Sequence, residues 1–157
     1  LNELAKNDPA FYIIGWSWID RFDYIDENHY WFDTSWGTIT PTSDTLVAHN
    51  YYKNLHSEYQ DKLTSLMAIQ LTIDTLQKKN CPFIMTYMDE LLFDKRWNRT
   101  PAVTELQRYC EPYMTRFDGK SFLEYSKEKG FEISQTLHPL EDAHQSAFEL
   151  INSYNLV

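Results

Sequence analysis

Glycine is scarce in this chain of 157 residues, with four in all, so few tight glycine turns are to be expected. No repeat, low-complexity tract or Gly/Ser linker divides it, which excludes an obvious domain boundary, and residues 1–157 read as a single domain. Cysteine is nearly absent. Cys81 and Cys110 have no CxxC spacing, which argues against a disulfide framework and for two reduced, partly buried thiols in a reducing compartment, the cytoplasm being favoured. Positive charge is short as well: 14 Lys and Arg stand against 23 Asp and Glu, a net charge of −9. That balance argues against binding the phosphate backbone of nucleic acid and against docking on an anionic membrane. No apolar run approaches the roughly 20 residues of a membrane span. The first residue is Leu1 rather than Met, so an upstream segment is expected.

What the chain does have is rings. Aromatic residues make up 16% of it, with 11 Tyr and 5 Trp, and hydrophobic residues reach 43%, enough for one sizeable core lined by large side chains. Residues 10 to 16, AFYIIGW, form a short β-branched and aromatic run that predicts a buried strand. A long connection of little periodicity follows over residues 17 to 44. From Thr42, Ser43 and Asp44 onward, Tyr52, Leu55, Tyr59, Leu63, Leu66, Ile69, Ile73 and Leu76 recur at helical intervals. Lys53, Glu58, Asp61, Lys62 and Lys78 fall mostly off that stripe, and Asn80 can end the helix. CPFIMTYM, residues 81 to 88, predicts a second buried strand with Pro82 at its start. Strand, long helix and strand in that order predict a parallel α/β unit. Pro101 opens a further helix, a Ser121–Glu124 capping box starts another that Gly130 closes, FEIS (131 to 134) could be a last short strand, and Pro139 opens a final helix with Ala143, Ala147, Leu150 and Ile151 inward.

Two histidines lie close together near the C-terminus in SQTLHPLEDAHQSAFEL, residues 134 to 150. As metal ligands they fit poorly. Their spacing is six rather than four, and Glu141, at i, i+3 with His144, supplies no clear third ligand. No metal site and no cofactor are inferred. As a base, His138 fits better: a histidine in a loop after a late strand, held by Pro139, can project into the cleft at the carboxyl ends of parallel strands and take a proton from a nucleophile. His144 would then be a brace behind it. Ordinary packing or surface roles for both remain open on spacing alone.

LHPLEDAHQSAFELI resembles the last conserved segment of the SGNH (GDSL-like) hydrolases, over roughly fifteen residues, and the preceding strands and long helix are placed as that family's middle section would be. The resemblance implies a three-layer α/β/α fold with a small, mostly parallel sheet, flavodoxin-like in plan. It also implies hydrolysis of acyl esters of carbohydrates or lipids, His138 as the catalytic histidine and His144 as the helix histidine. Three departures stand out. Gln135 occupies the place of the family's aspartate and cannot stabilise an imidazolium as a carboxylate does. Ser17, in Gly15-Trp16-Ser17, stands where the family has the asparagine that donates to the oxyanion. Nothing matches the Gly-Asp-Ser segment that carries the nucleophile, which is therefore expected upstream or lost.

GWSWI, residues 15 to 19, is four-fifths of a Gly-x-Ser-x-Gly elbow with Ile19 replacing the second glycine, so Ser17 is also a rival nucleophile. The loop after it interleaves Trp16, Trp18, Phe22, Tyr24, Tyr30, Trp31, Phe32 and Trp36 with Asp20, Arg21, Asp23, Asp26, Glu27 and Asp33, the chemistry of a carbohydrate site or of a loop packed down by its rings. The expectation is an SGNH-like acylhydrolase with His138, Ser17 and Gln135 at its centre and Trp16, Trp18 and Arg21 against a carbohydrate or other small-molecule substrate. The alternative is a non-catalytic carbohydrate-binding or interaction module on the same scaffold. Oligomeric state is not indicated.

Overall fold

The computed structural model describes residues 10–25 and 36–154 of the protein. In chain order these form β1 (Tyr12–Trp16), β2 (Phe22–Ile25), β3 (Trp36–Ile39), α1 (Leu46–Asn54), α2 (Glu58–Lys78), β4 (Phe83–Tyr87), α3 (Pro101–Cys110), α4 (Phe122–Lys129) and α5 (Glu141–Ser153). The fold is mixed α/β, as the alternation of apolar runs predicts. β1 and β4 pair in parallel, in register from Tyr12 with Phe83 to Trp16 with Tyr87, with α1 and α2 in the crossover between them. Period-2 alternation sends Tyr12, Ile14 and Trp16 to one face, where Met85, Leu66, Ile69, Ile73, Leu76, Val103 and Cys110 build the main core. A second cluster, Phe117, Phe122, Tyr125, Ala143 and Ala147, joins α4 to α5. Cys81 and Cys110 are free thiols. Burial pushes the Cys110 thiol up to about 12, so it stays protonated.

Three expectations need correction. The long helix is two: α1 ends at Asn54, Leu55 is 77% exposed, and Ser57 restarts the helix by accepting the Gln60 amide on its hydroxyl at 3.3 Å. The apolar stripe runs across the break because Tyr52 and Tyr59 both still face inward, and a serine cap overrides that periodicity locally. Second, the connection over 17 to 44 contains an antiparallel pair, Phe22 with Ile39 through Ile25 with Trp36. There the Tyr24 ring lies so close over Gly37 that a Cβ on Gly37 would meet the Tyr24 ring carbon Cζ at 2.5 Å. Third, FEIS makes only an isolated bridge, Ile133 with Pro139.

Of the expected capping box the serine half forms, while Glu90 rather than Glu124 takes the N-cap amide. Ser121 Oγ accepts the Glu124 amide and meets the Glu124 carboxylate, the Ser121 amide donates to Glu90 Oε1 at 2.8 Å, and Gly130 ends α4 at φ 75°. Ser121 is 1% exposed. Replacing it with alanine is expected to lower stability by about 1–2 kcal/mol, seen as a lower urea midpoint at unchanged slope.

Candidate functional site

The same alternation that sends even-numbered β1 residues into the main core turns Phe11, Ile13, Gly15 and Ser17 to the opposite face, with Ile84, Thr86 and Met88 beside them. That face is not fully covered. Ile13 is 64% exposed and Phe148, on α5, is 58% exposed. Between sheet and α5 lies a cleft of about 540 Å3, mostly apolar, that runs along β1 and reaches its carboxyl end at Ser17. His138 and His144 form part of its wall, with Ala147, Phe148 and Ile151. Residues 121 positions apart in the chain, Ser17 and His138, thus share one cavity.

His138 is held by its own loop. Its amide donates to Ser134 Oγ at 3.1 Å and its carbonyl accepts the Ser134 amide at 2.9 Å. The preceding residue, Leu137, has φ 62°, a left-handed conformation that costs a non-glycine residue about 1–2 kcal/mol. Strain of this kind persists where surrounding bonds enforce it and recurs next to functional side chains. The ring nitrogen Nδ1 lies 3.1 Å from Thr136 Oγ1. Gln135 is exposed and makes no hydrogen bond to His138 among the described residues; the side chain at the ring nitrogen is that of Thr136. The turn leaves position 135 exposed and brings the Thr136 hydroxyl to the ring edge. Among the described residues the His144 ring makes no hydrogen bond. It packs on Phe122, centroids 4.9 Å apart, at the cleft wall.

On the β1 side, Ser17 is exposed and its hydroxyl makes no hydrogen bond to the described residues. Trp16 is half-buried, and its indole N–H is buried without a partner there. Arg21 donates to Asp23 Oδ1 at 3.0 Å and to Thr38 Oγ1 at 3.3 Å, and Thr38 donates to Asp23 at 2.6 Å. The Thr38 bond, and after it Arg21, hold the Asp23 carboxyl below its ordinary range. Arg21 and Ser17 also line a second, more polar cleft of about 500 Å3 toward α2, with Trp16, Trp18, Asp23 and Thr64. The predicted substrate set of Trp16, Trp18 and Arg21 is therefore brought together with Ser17. The aromatic and acidic residues at 26–35 lie outside the described residues, as does the Trp36 side chain.

No family model, curated protein or solved structure matches this chain.

One acid near the carboxyl end of β4 escaped the sequence reading. Asp89 is 7% exposed, and one carboxylate oxygen accepts the Leu91 amide at 2.7 Å. Burial, with the charges of Asp20, Glu124 and Glu90, pushes its carboxyl up to about 6. Because the folded value exceeds the unfolded one, the native state holds this proton more tightly, and stability falls as pH rises from about 4 to about 6. Asp89→Asn, which keeps the accepting oxygen, is expected to flatten that slope in pH-dependent urea unfolding. An unchanged slope would mean that Asp89 titrates normally. An Asp-Glu pair after an apolar run carries no local signal of this burial.

Proposed function

We propose that this protein is an acyl-ester hydrolase of the SGNH type, with His138 as general base and Ser17 at the oxyanion. The observation that carries the reading is the shared cleft: His138 and Ser17 line one cavity that reaches the carboxyl end of β1, where open α/β sheets bind ligands. The strained Leu137 beside the histidine supports it. In this reading a hydroxyl, of a water or of a serine whose acyl ester a water then cleaves by the same route, attacks the ester carbonyl while His138 takes its proton. The tetrahedral oxyanion accepts a hydrogen bond from the Ser17 hydroxyl, the carbon–oxygen bond to the alcohol breaks, and the imidazolium returns the proton to the departing alkoxide. Thr136 at Nδ1 orients the ring without carrying a charge, so the imidazolium forms at a greater cost than beside a carboxylate.

Hydrolysis of p-nitrophenyl acetate tests the oxyanion role. Ser17→Ala is expected to lower kcat by about 10²-fold or more with KM little changed. A full rate in Ser17→Ala would remove Ser17 from the mechanism.

A second reading has its own support. Trp16 and Trp18 stand beside the Arg21–Asp23 pair in the polar cleft, an arrangement suited to stacking on a sugar face and bonding its hydroxyls. A non-catalytic carbohydrate-binding module would quench tryptophan fluorescence with oligosaccharides and turn over no ester.

A further inference from the structure

A separate cavity of about 290 Å3 lies at the α1–α2 junction and shares no lining residue with the His138 cleft. Six parts of the chain meet there: the turn at Ile19 and Asp20, Pro41 after β3, Tyr52 on α1, His56 between the helices, Glu58 and Asp61 on α2, and Leu91 with Trp97 beyond β4. Convergence of this kind is what builds small-molecule sites, although the volume is at the small end for them.

The polar groups are partly organised among themselves. Tyr52 donates to the Asp20 and Ile39 carbonyls, which ties α1 to the turn and to β3. The Trp97 indole donates to Glu58 Oε2 at 2.9 Å, fixing that ring against the wall. His56 Nε2 stands 2.8 Å from Asp61 Oδ2, with 18% and 14% of the two side chains exposed. The contact is close but poorly aligned, because the ring nitrogen is fully buried yet directs no N–H at an acceptor.

Charge is left over. Three acidic residues, Asp20, Glu58 and Asp61, line the space with one histidine. The neighbouring cation, Lys62, is committed elsewhere: its ammonium donates to the Asp94 and Trp97 carbonyls at 2.6 and 2.8 Å and sits 4.9 Å over the Trp97 ring. The Asp20 carboxylate makes no hydrogen bond or ion pair among the described residues. Burial raises the Asp61 carboxyl above its ordinary range against the pull of His56, and the Asp20 and Glu58 charges raise it further. Yet among the described residues no group of three or more His, Cys, Asp or Glu side chains converges closely enough to hold a metal ion. The acids line a volume with apolar and aromatic walls rather than a point.

We propose that this cavity binds a small organic ammonium, its charge between Asp20 and Asp61 and its apolar body against Tyr52 and Trp97. The carboxylates supply charge-assisted acceptors, which favour a cation over its neutral counterpart.

The test is calorimetric titration with butylamine, benzylamine and phenethylamine, each against its hydroxyl counterpart, 1-butanol, benzyl alcohol and 2-phenylethanol. At least one amine is expected to bind with one-to-one stoichiometry and to exceed its alcohol by about tenfold or more in affinity. Asp20→Asn, which removes a carboxylate that bonds nothing described, and Asp61→Asn are each expected to weaken amine binding by about tenfold, the loss of one charge-assisted contact. Thermal unfolding of both variants checks that the fold is kept, and Asp20→Asn carries the test if Asp61→Asn unfolds. No binding by any amine, equal binding of amine and alcohol, or full affinity in Asp20→Asn would overturn the proposal.

Discussion

Replacing His138 with alanine is expected to lower ester hydrolysis by about 10²- to 10⁴-fold, the range that a positioned general base supplies. The loss should fall on kcat rather than KM, because His138 sits on the cleft wall and acts on a proton that moves only during reaction. The fold should survive the change. The His138 side chain is exposed, and in the bonds to Ser134 that hold its loop, from its amide to Oγ and from its carbonyl to the amide, His138 takes part only through its main chain. Thr136→Val removes the Nδ1 partner and should lower kcat by less than the loss of the base itself. Equal rates for the wild type and His138→Ala would mean that the histidine is a surface residue.

The largest expected effect on stability comes from a residue with no part in that chemistry. Lys62 is fully buried on α2, and its ammonium is bonded to the carbonyls of Asp94 and Trp97. Lys62→Ala removes two charge-assisted bonds, strands the Trp97 carbonyl, leaves the Asp94 carbonyl only the Gln107 amide at 3.4 Å, and empties the space of a long side chain. A cost of about 2–5 kcal/mol is expected, a large part of the stability of a domain this size. Lys62→Met should recover the packing share but not the bonds, and so fall between alanine and wild type. Urea unfolding at constant slope measures both. A midpoint for Lys62→Ala within error of the wild type would show that the lysine snorkels to water instead.

These two residues mark where the sequence was legible and where it was not. The parallel pair, the burial of Leu66, Ile69, Ile73 and Leu76, the Ser121 cap and the inward Ala143 and Ala147 all follow from local periodicity and capping, which short stretches carry in full. Lys62 and Asp89 do not, because each reads as a polar residue at the margin of an apolar run. Their burial depends on where the segment after β4 folds back, a long-range matter. The break at Leu55–Ser57 was hidden for the opposite reason: the stripe continues through it while α1 closes on backbone bonds at Leu55 and the Ser57 hydroxyl begins α2. At the candidate site, Ser17, Trp16, Trp18, Arg21 and His138 were all readable as types in context. That Ser17 and His138 share a cleft is a product of the parallel pairing and of α5 lying across its open face. Gln135 illustrates the limit of alignment by position, since the turn around Leu137 puts Thr136 at the ring nitrogen.

Chemical rescue tests the central claim most directly. If His138 is the base, adding imidazole to the His138→Ala protein should raise p-nitrophenyl acetate hydrolysis above the rate that imidazole gives with buffer or with the doubly substituted His138→Ala, Ser17→Ala protein, and the gain should saturate as the cleft fills. A gain no larger than imidazole's own reaction with the ester would contradict a base at His138.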